Sequence, residues 1–266
     1  MEIPPDYHMH TPLCRHAEGE PTEYAAQAAK IGLYEIGFTE HAPMPGDDFD
    51  NWRMLESEMD LYHEKLDHAE KENPEINILR SLEVDYLPGY TEWIKSLSKC
   101  YEWDYLIGSV HYLEEKWSFD HPDHCEAWVG KDLKSVWAEY YTRLIESVEI
   151  GIFNIIGHCD LIKIFGHRPD FDLAPLWIPF LEEVKRQDIA IEINTGGIKK
   201  PCSEMYPEPA LLEIAAKMQI GITFGSDAHK PKRVGENFDA AIELAKRSGF
   251  THYRRFLKGE FESVPF

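Results

Sequence analysis

Short runs of β-branched and aromatic residues alternate with amphipathic stretches along the whole chain. The runs have the length and composition of buried strands. They lie at Tyr7–His10, Glu35–Thr39, Ile76–Val84, Tyr105–His111, Ile152–His158, Ile189–Asn194 and Ile220–Ser226. Stretches with apolar residues at i, i+3 and i+4 spacing predict helices. These are Pro21–Ile31, Tyr90–Leu97, Leu133–Ile150, Ala174–Arg186, Pro209–Met218 and Asn237–Arg247.

This alternation predicts an α/β protein built from βαβ units around a parallel sheet. About seven strands and seven helices are evenly spaced, and no Gly/Ser-rich linker or change of composition divides the chain. We therefore expect a single domain over residues 1–266, closed or nearly closed into a (β/α) barrel. A doubly wound sheet is the alternative.

The composition narrows the class of protein further. The chain has 266 residues, 43% of them hydrophobic, which excludes a disordered or coiled-coil protein. Its net charge of −21 argues against nucleic-acid binding through a basic surface. No apolar run of membrane-spanning length and no export signal is present, so neither a membrane protein nor an exported one is expected. Five cysteines without a CxxC pair favour reduced thiols and a cytoplasmic location.

Ionisable side chains stand at the end of nearly every predicted strand. Parallel strands point their carboxyl ends to one face of a barrel, and this face carries the active site. One histidine there is more often a packed or hydrogen-bonded residue than a ligand, but seven strand ends in order indicate a shared site. The strand ends are His8-Met9-His10, Thr39-Glu40-His41, Glu83-Val84-Asp85, Ser109-Val110-His111, Gly157-His158-Cys159-Asp160, Glu192-Ile193-Asn194 and Ser226-Asp227-Ala228-His229.

The spacing of His8 and His10 favours a metal site. Side chains at i and i+2 of a strand point to the same face, so both imidazoles can hold one cation. Imidazole and carboxylate groups are ligands for Zn, Mn or Fe, and no cysteine cluster suggests a closed structural zinc site.

The ordered motifs resemble those of the polymerase-and-histidinol-phosphatase (PHP) superfamily, and within it the histidinol-phosphatases. The resemblance spans residues 8–229 and includes Leu82–Gly89, His111-Tyr112-Leu113 followed by Trp117–Asp120, and Gly157–Lys163. It implies a distorted (β/α)7 barrel and a centre of three divalent metal ions, Mn, Fe or Zn. It also implies hydrolysis of L-histidinol phosphate in histidine biosynthesis, with a small phosphate ester as the partner and no nucleic acid or membrane.

The same resemblance implies a ligand set for each ion. The first ion would take His8, His10, Glu83 and Asp227. Glu83 would bridge to a second ion, completed by His111 and His158. The third ion would take His16, His41 and His229.

Metal ions suit phosphate ester hydrolysis because they lower the pKa of a bound water and neutralise phosphoryl oxygens. Glu83 and Asp227 are accordingly expected to be catalytic as well as ligands. Glu40 and Asp160 stand beside ligands, and we expect them to orient those ligands or to protonate the leaving alkoxide.

Substrate-binding residues are expected in the loops that follow the strands. Arg15, Arg168 and Arg233 are candidates for gripping phosphate, with a surface role equally open for each. Trp117 and Phe119 would contact the imidazole, or hold the cation over a ring. Asp120 or Glu115 would pair with the ammonium group, and Asn194 at the end of its strand completes this set.

The remaining histidines considered and Cys159 are expected to have no part in the site. His63, His68 and His252 are interpreted as surface residues, the first two in a polar helical stretch, and Cys159 as packed. Two other functions stay open: a phosphoesterase acting on nucleotides or oligonucleotide ends, and a non-enzymatic metal-dependent domain. The first would need basic or stacking groups spread along a groove, and the second would be expected to lack some ligands.

Overall fold

The computed structural model describes residues 3–46, 48–115 and 117–266. The first two residues, part of the N-terminal stretch in which no export signal was found, lie outside these ranges. Within them, the helices are α1 (Pro21–Ile31), α2 (Met59–Glu72), α3 (Thr91–Cys100), α4 (Leu133–Glu149), α5 (Ala174–Arg186), α6 (Pro209–Lys217) and α7 (Phe238–Ser248). The strands are β1 (Glu35–His41), β2 (Asn77–Asp85), β3 (Ile107–Ser109), β4 (Tyr112–Glu114), β5 (Trp117–Ser118), β6 (Ile155–Ile156), β7 (Ala190–Asn194), β8 (Gly221–Gly225), β9 (His252–Leu257) and β10 (Glu260–Pro265).

Six strands form a parallel sheet in the order β1-β2-β3-β6-β7-β8. The extended segment 6–10 joins its two edges. It pairs in parallel with β1 through Asp6 and Ile36, and with the chain beyond β8 through Met9 and Ala228. Seven extended segments therefore curl into a distorted (β/α)7 barrel, which confirms the predicted fold class and leaves no role for the doubly wound alternative.

Apolar side chains fill the barrel and the layer outside it. A small cluster inside the barrel includes Tyr7, Tyr105 and Phe256. Phe256 belongs to the hairpin of β9 and β10, and its backbone N–H donates to the Tyr7 hydroxyl. The main cluster packs the sheet against the helices and runs from Met9 to Tyr253. The hairpin thus lies at the end of the barrel where strands begin, leaving the opposite end open.

The central strands are shorter than the sequence predicts. The pairing of β3 with its neighbours begins only near the end of β2. Glu83, close to the end of β2, is opposite Ile107 of β3, and Ile107 is opposite Ile155 of β6. The short overlap leaves Val110–His111 and Gly157–His158 outside the ladder, and the side chains of His111 and His158 line the open end. No helix among the described residues is both long and apolar enough to cross a membrane.

Candidate active site

Glu83 lies at the centre of the open end of the barrel, surrounded by five imidazoles. Its Oε2 is 3.3 Å from His8 Nε2, 3.7 Å from His10 Nε2 and 2.9 Å from His41 Nδ1. Its Oε1 is 2.8 Å from His158 Nε2 and 3.5 Å from His111 Nε2. The two carboxylate oxygens therefore face two different groups of histidines.

Asp227 and the two remaining histidines complete the cluster. Asp227 Oδ1 is 3.3 Å from His10 Nε2 and 3.4 Å from His229 Nδ1. The rings of His16 and His229 stack with centroids 4.6 Å apart, and those of His16 and His41 are 5.5 Å apart. The structure thus brings all nine predicted ligands together around one cavity end.

Several buried polar atoms of this cluster have no hydrogen-bond partner, and this bears on whether the cluster suits a cation. Such atoms include His8 Nε2, both ring nitrogens of His10, His41 Nδ1 and His229 Nε2. A buried imidazole nitrogen without a partner loses its hydration, so a cluster of them is costly unless a ligand occupies it. Several groups of three side chains also have donor atoms within 4.8 Å of one another, His8, His10 and Asp227 among them. The donor set therefore fits divalent cations.

Carboxylates behind the ring of ligands fix the orientation of two imidazoles, and a third carboxylate stands near His10. Glu192 Oε1 lies 2.7 Å from His8 Nδ1, and Asp85 Oδ1 lies 2.7 Å from His111 Nδ1. A carboxylate in this position keeps the proton on Nδ1 and turns Nε2 towards the centre, as in many metal sites. Glu40 stands 3.5 Å from His10 Nδ1 and accepts hydrogen bonds from the Thr11 N–H and hydroxyl.

The central carboxylates are held in the ionised form. Burial by itself raises the pKa of Glu83, but the charges of His8, His111 and His41 outweigh it and hold the pKa well below its usual value. The pKa of Asp227 is likewise well below its usual value, because His8 and His10 overcome the effect of burial.

Six histidines of the cluster fall into two groups by charge environment: His8, His10 and His111, and His16, His41 and His229. Burial lowers the pKa of each, but neighbouring carboxylates raise the pKa of His8 well above its usual value, that of His10 to about 9 and that of His111 to about 10. Burial and the charge of His10 lower the pKa of His16, His41 and His229. Because metal ligands bind in the deprotonated form, cations entering this cluster would displace protons.

A cavity of about 530 Å³ opens over the cluster, a size typical of small-molecule sites. Arg15, Asp120 and Arg233, named from the sequence as substrate-binding candidates, line it. Arg15 also pairs with Glu58 at 2.5 Å. The sequence pattern did not single out Asn51, Trp52, His121, Lys200 or Tyr206, which line it as well.

Other candidates occupy different surroundings. Arg168 is on the surface, paired with Glu204 and with Glu208 at 3.4 Å. Trp117 is buried against Trp128, and Phe119 is buried against Tyr140. None of these side chains is among the described residues that line the cavity.

Asn194 and Asp160 are buried next to the site rather than in the cavity wall. Asn194 Nδ2 donates to Glu192 Oε2 at 3.0 Å, so it supports the partner of His8. Asp160 pairs with the buried Lys163 at 2.6 Å and accepts a hydrogen bond from the Glu208 N–H. Burial raises the pKa of the Asp160 carboxyl despite that pairing.

Cys159, His63, His68 and His252 all lie away from the cavity wall. Cys159 is buried in the main apolar cluster. His63 is half-buried and stacks on Tyr101 with ring centroids 3.9 Å apart. His68 and His252 are exposed.

Two orienting carboxylates, Glu192 and Asp85, were not assigned a role from the sequence. Glu192 is the single charged residue of β7, and Asp85 ends β2 two residues after Glu83, so both placements were available signals. Trp52 and Asn51 had no such signal, because they lie in an irregular loop without periodicity.

Comparisons with known proteins agree with this geometry. The chain belongs to the PHP domain family, whose model matches residues 6–196. A protein of Deinococcus radiodurans named "Probable histidinol-phosphatase" is 38% identical over 249 residues, covering 92% of this chain and 94% of that protein. The histidinol-phosphatase of Bacillus subtilis is 28% identical over 262 residues, covering 90% of this chain and 98% of that protein.

A solved structure shows the same fold. The histidinol phosphate phosphatase of Lactococcus lactis, crystallised with Zn, L-histidinol and phosphate, superposes with a TM-score of 0.80. It is 23% identical and covers 98% of this chain and 99% of that chain. The resemblance to this family inferred from the sequence is thus confirmed.

Proposed function

We propose that this protein is a metal-dependent phosphate monoester hydrolase that converts L-histidinol phosphate to L-histidinol and phosphate in histidine biosynthesis. The observation that carries the proposal is the convergence of nine ligand-type side chains on Glu83 at the open end of the barrel. The 38% identical relative and the Lactococcus structure point to the substrate. Residues 1–266 would act as a single metallophosphatase domain.

Three divalent ions, Mn, Fe or Zn, would occupy the cluster. His8, His10, Glu83 and Asp227 would hold the first ion. Glu83 would share the second ion with His111 and His158, and this agrees with the two directions in which its oxygens face. The third ion would be held by His16, His41 and His229.

When bound, divalent ions lower the pKa of a water molecule and neutralise phosphoryl oxygens. The protein itself contributes a fixed geometry, since Glu192 and Asp85 hold the rings of His8 and His111. Because these carboxylates are buried and hydrogen-bonded, the rings are oriented before substrate arrives.

Recognition of the two ends of the substrate would use opposite charges in the cavity wall. Arg233 and Lys200 would attract the phosphate, together with Arg15. Asp120, which accepts a hydrogen bond from the Ser118 hydroxyl at 2.7 Å, would pair with the ammonium group.

The cytoplasm is the compartment we propose for this activity. All five cysteines are free thiols in the structure, which fits a reducing environment.

Phosphate release from a panel of esters tests the function. The protein would be stripped of metal and then reloaded with Mn, Fe or Zn. Histidinol phosphate should be hydrolysed in preference to a nucleoside monophosphate and a dinucleotide. Faster hydrolysis of the dinucleotide, or no phosphate release with any of the three metals, would contradict the proposal.

A further inference from the structure

Basic side chains at the mouth of the cavity follow neighbouring strands of the barrel, and the aromatic and acidic ones follow strands on the other side. Lys200, Arg233 and Arg15 follow β7, β8 and segment 6–10, which are neighbours in the barrel. Trp52 and Asp120 follow β1 and β3, on the other arc. A bound molecule with an anionic end and a cationic, aromatic end would therefore have a single favourable orientation.

Trp52 comes from the irregular loop between β1 and α2, and its indole lies beside two predicted ligands. The ring is edge-to-face with His41 at a centroid distance of 4.9 Å and with His111 at 5.7 Å. The indole is only partly buried and forms part of the cavity wall. It is therefore placed to contact whatever is attached to a phosphate held at the metal cluster.

Buried partners hold this indole in place. It is nearly parallel to the Tyr112 ring, with an interplanar angle of 8° and centroids 5.8 Å apart. The guanidinium of Arg53 stands 4.5 Å from the indole centroid. Because the indole is already held in place, it loses little conformational entropy when a ligand binds. Its contacts with the ligand therefore add more to the binding free energy than those of a mobile side chain would.

Arg53 ties the loop to the site itself. Its Nε donates to Asp50 Oδ2 at 2.7 Å, its Nη1 to the Ala42 carbonyl at 2.8 Å and its Nη2 to Asp85 Oδ2 at 2.9 Å. Asp85 is the carboxylate that orients His111. One buried arginine thus fixes the position of Trp52 relative to a predicted metal ligand.

We propose that Trp52 is a specificity-determining residue, which forms with Asp120 a subsite for the imidazole and ammonium groups of the substrate. This inference rests on the proposed function, since it concerns the part of the ester that leaves as L-histidinol. Trp52 supplies an aromatic contact for the imidazole, and Asp120 supplies an anion for the ammonium. The phosphate lies towards Lys200 and Arg233.

Three substrates separate the contacts. Histidinol phosphate has a ring and an ammonium group, phosphoethanolamine has only the ammonium group, and glycerol 3-phosphate has neither. In the metal-loaded enzyme, Trp52→Leu should lower kcat/KM for histidinol phosphate by about three- to tenfold relative to the other two substrates. Asp120→Asn should lower it for both amines but not for glycerol 3-phosphate. Trp52→Phe should restore part of the preference.

Trp93→Phe is the matched control, because Trp93 packs in the same apolar cluster and donates to the Pro43 carbonyl from outside the cavity. It should leave the ratios between substrates unchanged. Calorimetry gives a readout independent of turnover: Trp52→Leu should weaken binding of L-histidinol but not of inorganic phosphate.

Equal losses on all three substrates, or unchanged L-histidinol binding in Trp52→Leu, would overturn the subsite. A native enzyme that does not prefer histidinol phosphate to glycerol 3-phosphate would instead refute the proposed function. The two failures are therefore distinguishable.

Discussion

At the scale of single residues, the position of Glu83 governs the site. Its two oxygens face separate groups of imidazoles, and its carboxylate is almost fully buried, with 1% of its surface exposed. His111, a terminal ligand, forms ion pairs with Glu83 and Asp85. Loss of the charge on Glu83 should therefore affect more than one metal position.

Glu83→Gln keeps the shape of the side chain and removes its charge. We expect metal content to fall by more than one equivalent, and activity to fall by more than the roughly 10- to 100-fold typical of residues that only support a ligand. Elemental analysis beside His111→Gln as a single-position control measures this. Loss of one equivalent or less in Glu83→Gln would contradict a bridging role.

Gly225 leaves the space that His8 and its partner Glu192 occupy. A Cβ at this position would stand 1.9 Å from Glu192 Oε1 and 2.5 Å from His8 Cβ. The strand residue must therefore be glycine for the pair of His8 and Glu192 to fit behind the site.

Gly225→Ala should displace this pair, lower the free energy of unfolding by about 1–3 kcal/mol, and weaken metal binding. Gly32→Ala is the control: its positive φ of 86° opposes a side chain, but nothing lies within 4 Å. It should lower stability by about 1–2 kcal/mol with metal affinity unchanged. Equal metal affinity in the two variants would show that Gly225 has no special link to the site.

Cations in the cavity wall differ in their partners. Lys200 has no ion-pair partner in the described part of the chain, and Arg233 pairs with Glu236 at 3.0 Å. Arg168 is paired with two glutamates outside the cavity.

Lys200→Ala and Arg233→Ala should each weaken inhibition by inorganic phosphate by roughly tenfold or more, because a hydrogen bond to a charged group is lost. Bound metal should not change. Arg168→Ala should alter phosphate inhibition little. Unaltered inhibition in both cavity variants, or a larger effect in Arg168→Ala, would assign the phosphate to different residues.

At the scale of elements, prediction from the sequence succeeded where local chemistry sets the boundaries. Helix α1 has the predicted bounds, because Pro21 begins it and Gly32 ends it in a left-handed conformation. Strands β3 and β6 are shorter than predicted, since register between neighbours limits pairing and register is not visible in one sequence. The hairpin of β9 and β10 was not predicted, because its second strand is mostly exposed and has no buried apolar run.

Eight of the nine ligand candidates stand at strand ends, and the family resemblance added His16, but the loops did not reveal Trp52 or Arg53. Both lie in a segment without periodicity, and their positions depend on long-range contacts with Asp85 and Tyr112. Tertiary packing decides such positions, so local pattern carries little information about them.

The loop between β1 and α2 should be sensitive to Arg53. Arg53→Ala removes the ion pairs of the buried Asp85 and the half-buried Asp50, and we expect a loss of about 3–5 kcal/mol in the free energy of unfolding. Denaturant unfolding measures it. The control, Arg186→Ala, removes an exposed surface pair with Glu183 and should leave the free energy of unfolding almost unchanged. Similar losses in the two variants would contradict a fixed loop.

At the scale of the whole molecule, an acidic protein carries the site that we propose for an anionic substrate. The net charge is −21, yet the cavity contains a cluster of imidazoles and an arc of basic side chains. Bound divalent ions would be the largest local charges and would reverse the field at the mouth. The barrel makes this possible because all seven extended segments contribute to one end.

Metal titration of the stripped protein, with elemental analysis and histidinol phosphate hydrolysis followed together, tests this account most directly. The account predicts that hydrolysis is absent without metal, needs more than one equivalent per chain, and reaches its maximum near three equivalents. Full activity with fewer than two metal ions per chain would contradict the proposed metal centre.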